Sequence, residues 1–333
     1  MKKINWEILA LTRFILAAIV IVNHLTDYTD VGCLNWFKKL GAFEAILGFL
    51  LISGFSIGKS IQRNKENYFL RRIKRIYPVY LASILFLVGV AGLKTDFSSI
   101  IYFIFNLLFL NHIFTATSFV GPAWTLATEV WLYTLAPFFL KLSQKALIGI
   151  IAGSFAAFAI YTAGRTLYHW PYFSGTSYGI NLILLAFIWV AGFVLATHPE
   201  SKSITKIIAL LFVGHIVLSF AIQGAYRIKH NEIQLLINTD LPEYILKSIC
   251  LLFSYIVVVR NNTIKEPGHV ANRVFNFLGN ISYPLYLTHI TSYELMVKYF
   301  HINNRFALIL ASILISSIVY YIFDFYTKKR TVA

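Results

Sequence analysis

The sequence predicts an all-α fold, a polytopic integral membrane helix bundle of about ten transmembrane helices plus one short re-entrant or interfacial segment. Three observations carry that expectation. Of the 333 residues, 58% are hydrophobic and only 13% charged, so apolar surface exceeds what one soluble core could hide. The apolar residues gather in long runs near the roughly 20 residues that cross a bilayer. The 29 Lys and Arg, set against 14 Asp and Glu, lie beside those runs, as basic loops at one membrane face do. A soluble enzyme is excluded, and the net charge of +15 becomes a sign of topology rather than of nucleic-acid binding.

Eleven apolar stretches follow in order, at 8–26, 41–58, 76–93, 99–114, 123–140, 146–163, 179–197, 204–222, 243–260, 274–297 and 306–326. The first carries Arg13 inside its apolar run with no small-residue cleavage site behind it, so it reads as a retained span and not a secretory signal. The stretch 99–114 is the shortest. Taken as re-entrant or interfacial, it leaves ten spans and puts both termini on one side. Charge supports that choice: 19 basic residues then fall in segments on the side of the termini, 8 fall in the opposite loops, and Arg13 and Lys247 lie within spans. Both termini are therefore expected to be cytoplasmic. The segment 161–178 (YTAGRTLYHWPYFSGTSY) is rich in Tyr and Trp, as an interfacial aromatic belt or a sugar-stacking surface would be. Cys33 in a loop and Cys250 in a hydrophobic run are expected at different depths, unpaired by a disulfide.

Ionisable groups inside spans are costly without a partner or a purpose. Arg13 and His24 are eleven residues apart, which sets them about 20° apart around a helix and about 16 Å apart along it. Snorkelling would explain the arginine alone, and a helix-end cap the histidine alone. The small residues of GFLLISGFS, Gly48 to Ser56, suit close helix packing or the approach of a ligand. In the basic segment that runs up to Pro78, Arg72 and Arg75 are three residues apart and point the same way on a helix, where they could clamp a phosphate; topological charge bias is the competing explanation. Glu129 lies within GPAWTLATEVWLYTLAPFF with Trp124 and Tyr133, open to proton relay, ion pairing or hydroxyl binding. NISYPLYLTHITSYEL adds Tyr283, His289 and Glu294. No P-loop, GxSxG, HExxH or Cys/His cluster is present, and no metal is expected.

Taken in chain order, these motifs resemble the membrane-bound acyltransferase family 3, the bacterial surface-carbohydrate O-acyltransferases. The family's Arg, ten residues, His pattern is matched by Arg13 and His24. LISGFSI (51–57), FLRRIKRIYPVY (69–80), AWTLATEVWLYTLAP (123–137) and ISYPLYLTH (281–289) are similar to its remaining elements. There are departures: Leu47 stands where many members carry an Asp, with Glu44 a turn earlier, and Asp324 is all that represents a near-terminal Glu-x-Pro. No esterase-type domain is expected behind the last span.

The resemblance implies a single transmembrane acyltransferase domain over 1–333 in the bacterial inner membrane. It would move an acyl group, acetyl being the expected one, from cytosolic acyl-CoA to a hydroxyl of a surface polysaccharide or its lipid-linked precursor. It implies no permanently bound cofactor, and as partners only acyl-CoA, the carbohydrate acceptor and membrane lipids, with no nucleic acid. His24, Arg13 and Glu129 would be catalytic. Arg71, Arg72, Arg75, Ser53 and Gly54 would hold the donor, and Trp124, Tyr133, Tyr283 and His289 would meet the acceptor. A transporter or glycolipid flippase lined by the same polar groups is the alternative reading.

Overall fold

The computed structural model describes residues 4–94 and 96–325, and among these it contains helices and no strands. Eleven helices carry the architecture: α1 (Trp6–Leu25), α2 (Ala42–Arg63), α3 (Tyr68–Ala91), α4 (Phe97–Leu107), α5 (Trp124–Phe139), α6 (Gln144–Tyr168), α7 (Ile180–Thr197), α8 (Lys202–Lys229), α9 (Leu241–Val259), α10 (His269–Phe300) and α11 (Arg305–Val319). Each answers one of the eleven predicted stretches. Side-chain caps start several of them where the sequence offers an acceptor: Asn5, Asp96, Ser143, Ser201 and Asn304 each accept from a backbone N–H of the first turn, satisfying groups the helix itself leaves unpaired.

Among the described residues, eight helices are long and apolar enough to cross a membrane; α4, α5 and α10 are not among them. The helix α5 has 16 residues. The 32-residue α10 is too polar by average composition, because Ser282, Thr288, His289, Thr291 and Ser292 face the interior, each at most 2% exposed. Their hydroxyls are largely satisfied by α10 itself: Ser282 donates to the Gly279 carbonyl, Thr288 to Pro284 and Ser292 to Thr288. A polar stripe that bonds its own backbone can be buried against other helices without leaving unpaired groups.

The short α4 does not continue across. The Asn106 amide, fully buried, donates to the Thr117 carbonyl and accepts from the Phe119 N–H, and Phe103 meets Phe119 edge to face. The chain therefore doubles back along α4 before α5 begins. Tyr80 of α3 holds the turn through the Asn106 carbonyl and a stacked Phe109 ring, and Trp131 of α5 donates to the Phe109 carbonyl. The irregular backbone here is held by protein on these sides, the condition under which such backbone is tolerated in a helix bundle.

Two tight seams set the frame of the bundle. Between α2 and α7, a Cβ on Gly54 would lie 1.9 Å from the Trp189 carbonyl oxygen, and one on Gly192 would lie 2.0 Å from that of Leu51. Between α1 and α10, a Cβ on Gly279 would lie 2.4 Å from the Ala10 Cβ. Without side chains at these points the backbones touch, which is how helices associate where no water drives them together. From Leu184 to Ala196 the helix α7 is buried on all sides and apolar all round, as a central helix must be.

One expectation shifts, and part of another lies beyond what the structure describes. The basic FLRRIKR segment is the first turns of α3, with Pro78 inside the helix, and not a loop that ends at the proline. Lys2, Lys3, Lys328, Lys329 and Arg330, which entered the charge count, lie outside the described residues, as does the Asp324 side chain. Cys33 and Cys250 are both free thiols, the first exposed and the second buried.

Candidate active site

A cavity of about 140 Å³ opens among α1, α2, α3, α5 and α10. Its polar wall is made by Arg13 of α1, Ser53 and Ser56 of α2, Arg72 and Arg75 of α3, Glu129 and Tyr133 of α5, and Asn280 and Tyr283 of α10. Local helix geometry accounts for the convergence. Arg72 and Arg75 are a turn apart on α3, Glu129 and Tyr133 a turn apart on α5, and each pair shares one face. The helix α5 starts on Pro122 in a 3₁₀ turn, where the missing proline N–H costs nothing.

A directed hydrogen-bond chain runs through the cavity. Trp189 Nε1 donates to Ser53 Oγ at 3.3 Å, Ser53 Oγ lies 2.9 Å from the Tyr133 hydroxyl, and that hydroxyl donates to Glu129 Oε2 at 3.2 Å. Because Tyr133 has a single proton, spent on the carboxylate, Ser53 supplies its own proton to Tyr133. Every proton in the chain thus leans toward Glu129, and the charges of Arg13 and Arg75 both bear on the same group.

The opposite side of the cavity is cationic and incompletely satisfied. The Arg72 guanidinium donates to the Ser60 hydroxyl and lies over the Tyr68 ring, 5.8 Å from its centroid. Its Nε and the Ser56 hydroxyl are buried with no hydrogen-bond partner in the protein. Leaving such groups unpaired costs about 1–3 kcal/mol apiece, and an anionic ligand would supply the partner. Arg72, Ile76 and Tyr133 also form the wall shared with a second, largely apolar cavity of about 400 Å³ against Phe109 and Trp131.

Not every expected residue reaches this place. Arg71 spends its guanidinium on the backbone carbonyls of Glu66 and Asn64, the latter at 2.6 Å, and so ties down the segment before α3. Gly54 faces α7 in the packing seam, on the side of α2 away from the cavity, so its smallness serves helix contact. Trp124 is buried beside His112, with ring centroids 6.2 Å apart, and does not line the cavity. Glu44 is buried near Lys247 and Glu243 of α9, in a separate environment.

His24 and His289 form a place of their own. His24 Nδ1 lies 2.9 Å from His289 Nε2, and His289 Nδ1 lies 3.1 Å from the Leu285 carbonyl oxygen. His289 is fully buried, and the two rings are 15° from coplanar with centroids 5.1 Å apart. Rings that close at a nitrogen pair and that far apart at their centres meet edge to edge, so this is a hydrogen bond in plane and not a face-to-face stack. Neither histidine lines the cavity. Tyr286 stands between: its ring lines the cavity 5.6 Å from Phe49 and 6.5 Å from His289, and its hydroxyl is held by Thr125 at 2.7 Å.

Tyr286, Ser56, Asn280 and Trp189 were not singled out from the sequence. Tyr286 sits three residues after Tyr283 and Ser56 three after Ser53, a spacing that marks a shared helical face. The approach of Trp189 to Ser53 joins residues 136 positions apart and left no local signal.

The chain belongs to the acyltransferase 3 family, whose model, an acyltransferase domain, matches residues 6–323. It is also similar to the protein named "Putative acetyltransferase ORF330" of Acidianus two-tailed virus, at 27% identity over 259 residues, covering 74% of this chain and 70% of that relative. No solved structure matches it. The family read from the five motifs is thereby shown.

Proposed function

From membership of the acyltransferase 3 family, we propose an integral membrane O-acyltransferase that moves an acyl group, acetyl being the expected one, from acyl-CoA to a hydroxyl of a surface polysaccharide or its lipid-linked precursor. The observation that carries this reading is the convergence of Arg13, Arg72 and Arg75 on one cavity with Glu129. Planar guanidinium forks from two helices suit the phosphates of a coenzyme A thioester better than they suit a neutral solute. The protein works in the bacterial inner membrane with both termini cytoplasmic, so the donor enters from the cytosol.

In this mechanism Arg72 and Arg75 bind phosphate at the mouth, and Arg13 holds the donor deeper in. The thioester reaches past Phe49 and Tyr286 toward His24, about 16 Å from Arg13 along α1, a distance the pantetheine arm is there to cover. The acceptor O–H gives its proton to His24 Nε2 as its oxygen attacks the thioester carbonyl carbon. When the tetrahedral centre collapses, the C–S bond breaks. The leaving thiolate recovers the proton from His24, which gives an ester, free coenzyme A thiol and a neutral imidazole. Glu129, oriented by Tyr133 and Ser53, balances the arginine charge beside the donor.

The test is binding of radiolabelled acetyl-CoA to the purified protein, together with mass spectrometry of surface glycan from cells with and without the gene. Saturable binding weakened by Arg72→Ala or Arg75→Ala, and a mass difference of one acetyl per repeat, are the expected results. No affinity for the thioester, with ion-coupled uptake of a solute instead, would make the protein a carrier.

A further inference from the structure

The histidine pair carries more than proximity. A carbonyl oxygen only accepts, so the contact between His289 Nδ1 and the Leu285 carbonyl, 3.1 Å, places the proton of a neutral His289 on Nδ1. Its Nε2 is then a lone pair. The 2.9 Å approach of His24 Nδ1 to that lone pair requires the His24 proton to sit on Nδ1, and this leaves His24 Nε2 unprotonated. The in-plane meeting of the rings, 15° apart, is the geometry in which such a bond is strongest. Full burial of His289 keeps water from replacing either partner, and the Tyr293 ring closes the far side with centroids 5.9 Å away. Tyr293 is itself anchored by its hydroxyl on the Ile21 carbonyl of α1.

We infer that His289 is a positioning residue: it accepts the Nδ1 proton of His24 and so fixes the tautomer and ring plane that present His24 Nε2 to an acceptor hydroxyl. The role is the one a carboxylate plays behind a catalytic imidazole, filled here by a neutral ring whose own proton is pinned by the helix backbone. Since no charge is involved, the pair is stable in an apolar seam where an aspartate would need a cationic partner. When His24 takes the hydroxyl proton on Nε2, its Nδ1–H bond to His289 becomes charge-assisted and strengthens, and the gain arises at the moment of transfer. His289 is thus a support for the base, and not a contact for the sugar as expected from sequence. The inference rests on the proposed reading of His24 as the base.

The experiment measures acetyl transfer from acetyl-CoA to an acceptor glycan by full-length protein in detergent or nanodiscs, for His24→Ala, His289→Leu and His289→Gln. Acetyl-CoA affinity and ring-nitrogen ¹⁵N spectra of His24 are recorded alongside. Glutamine can accept from His24 Nδ1–H through its carbonyl; leucine cannot. His289→Leu should lower kcat on the order of 10²-fold with acetyl-CoA affinity unchanged and with His24 no longer held in one tautomer. His289→Gln should recover most of the rate and the single Nδ1–H tautomer. If His24→Ala retains transfer, the reading of His24 itself fails. If His24→Ala is inactive while His289→Leu is as active as wild type, or His289→Gln is no better than His289→Leu although both bind acetyl-CoA normally, the inference about His289 is overturned.

Discussion

The middle of α1 and its C-terminal end solve the same problem in opposite ways. Arg13 and His24 are polar groups on one face of one helix, eleven residues apart. Arg13 opens into a cavity shared with Arg72, Arg75, Glu129 and Asn280, where many partners are available and some, such as the Arg72 Nε, are unsatisfied. His24 closes onto a single partner, His289, inside the seam with α10. A group with many partial partners is adaptable and suits a ligand that arrives and leaves. A group with one in-plane partner is orientated and suits a step that needs a fixed lone pair. A helix can carry both because its face repeats, while the helices packed against it differ along its length.

That contrast can be broken by substitutions, taken here from the largest expected effect downward. His24→Ala should lower acyl transfer at least on the order of 10²-fold while leaving acetyl-CoA affinity intact. A matching loss of donor affinity, in a titration of the purified variant, would erase the distinction between the two positions. Arg13→Ala should do the converse, weakening acetyl-CoA binding about tenfold, or about 1.4 kcal/mol, more than it slows turnover at saturating donor. Gly54→Ala should injure both functions together, because its Cβ would meet the Trp189 carbonyl at 1.9 Å. The cost, about 1–3 kcal/mol of overpacking, should appear as a lower thermal midpoint in detergent.

Asp96→Asn is the smallest change expected. The Asp96 carboxylate is held below its ordinary 3.8 by bonds from the Ser99 hydroxyl and N–H. Its contribution to α4 is therefore present above that ordinary value and fades only as pH falls through the lowered one. Asparagine caps nearly as well, so at neutral pH transfer and melting should match wild type, and the difference should open only at the acid end of a melting series.

How far the sequence spoke for the fold depends on the kind of signal. Eleven apolar runs became eleven helices because span length is a property of each run by itself. The start of α3 at Tyr68 was missed because FLRRIKR is too basic to read as a span, although it is helical. The turning back of α4 was readable as shortness, whereas the Asn106 bonds that enforce it were not. Within the site, Arg72 and Arg75 were legible because spacing fixes a shared face. Ser53 and Gly54 were not separable: they are neighbours of similar size, and only the position of α7 decides that one faces the cavity and the other the seam. The pairing of His24 with His289 spans 265 positions, beyond anything helical periodicity reports.

The hairpin formed by α4 and its return has a consequence for biogenesis. Its seat is built partly from Trp131, which leaves the ribosome after residues 97–120 have done so. An eleven-residue helix is shorter than the roughly 20 residues that cross a bilayer, and the Trp131 bond to the Phe109 carbonyl that seats its turn can form only once α5 has been made. The turn that ends α4 thus depends on a partner that chain order supplies after it.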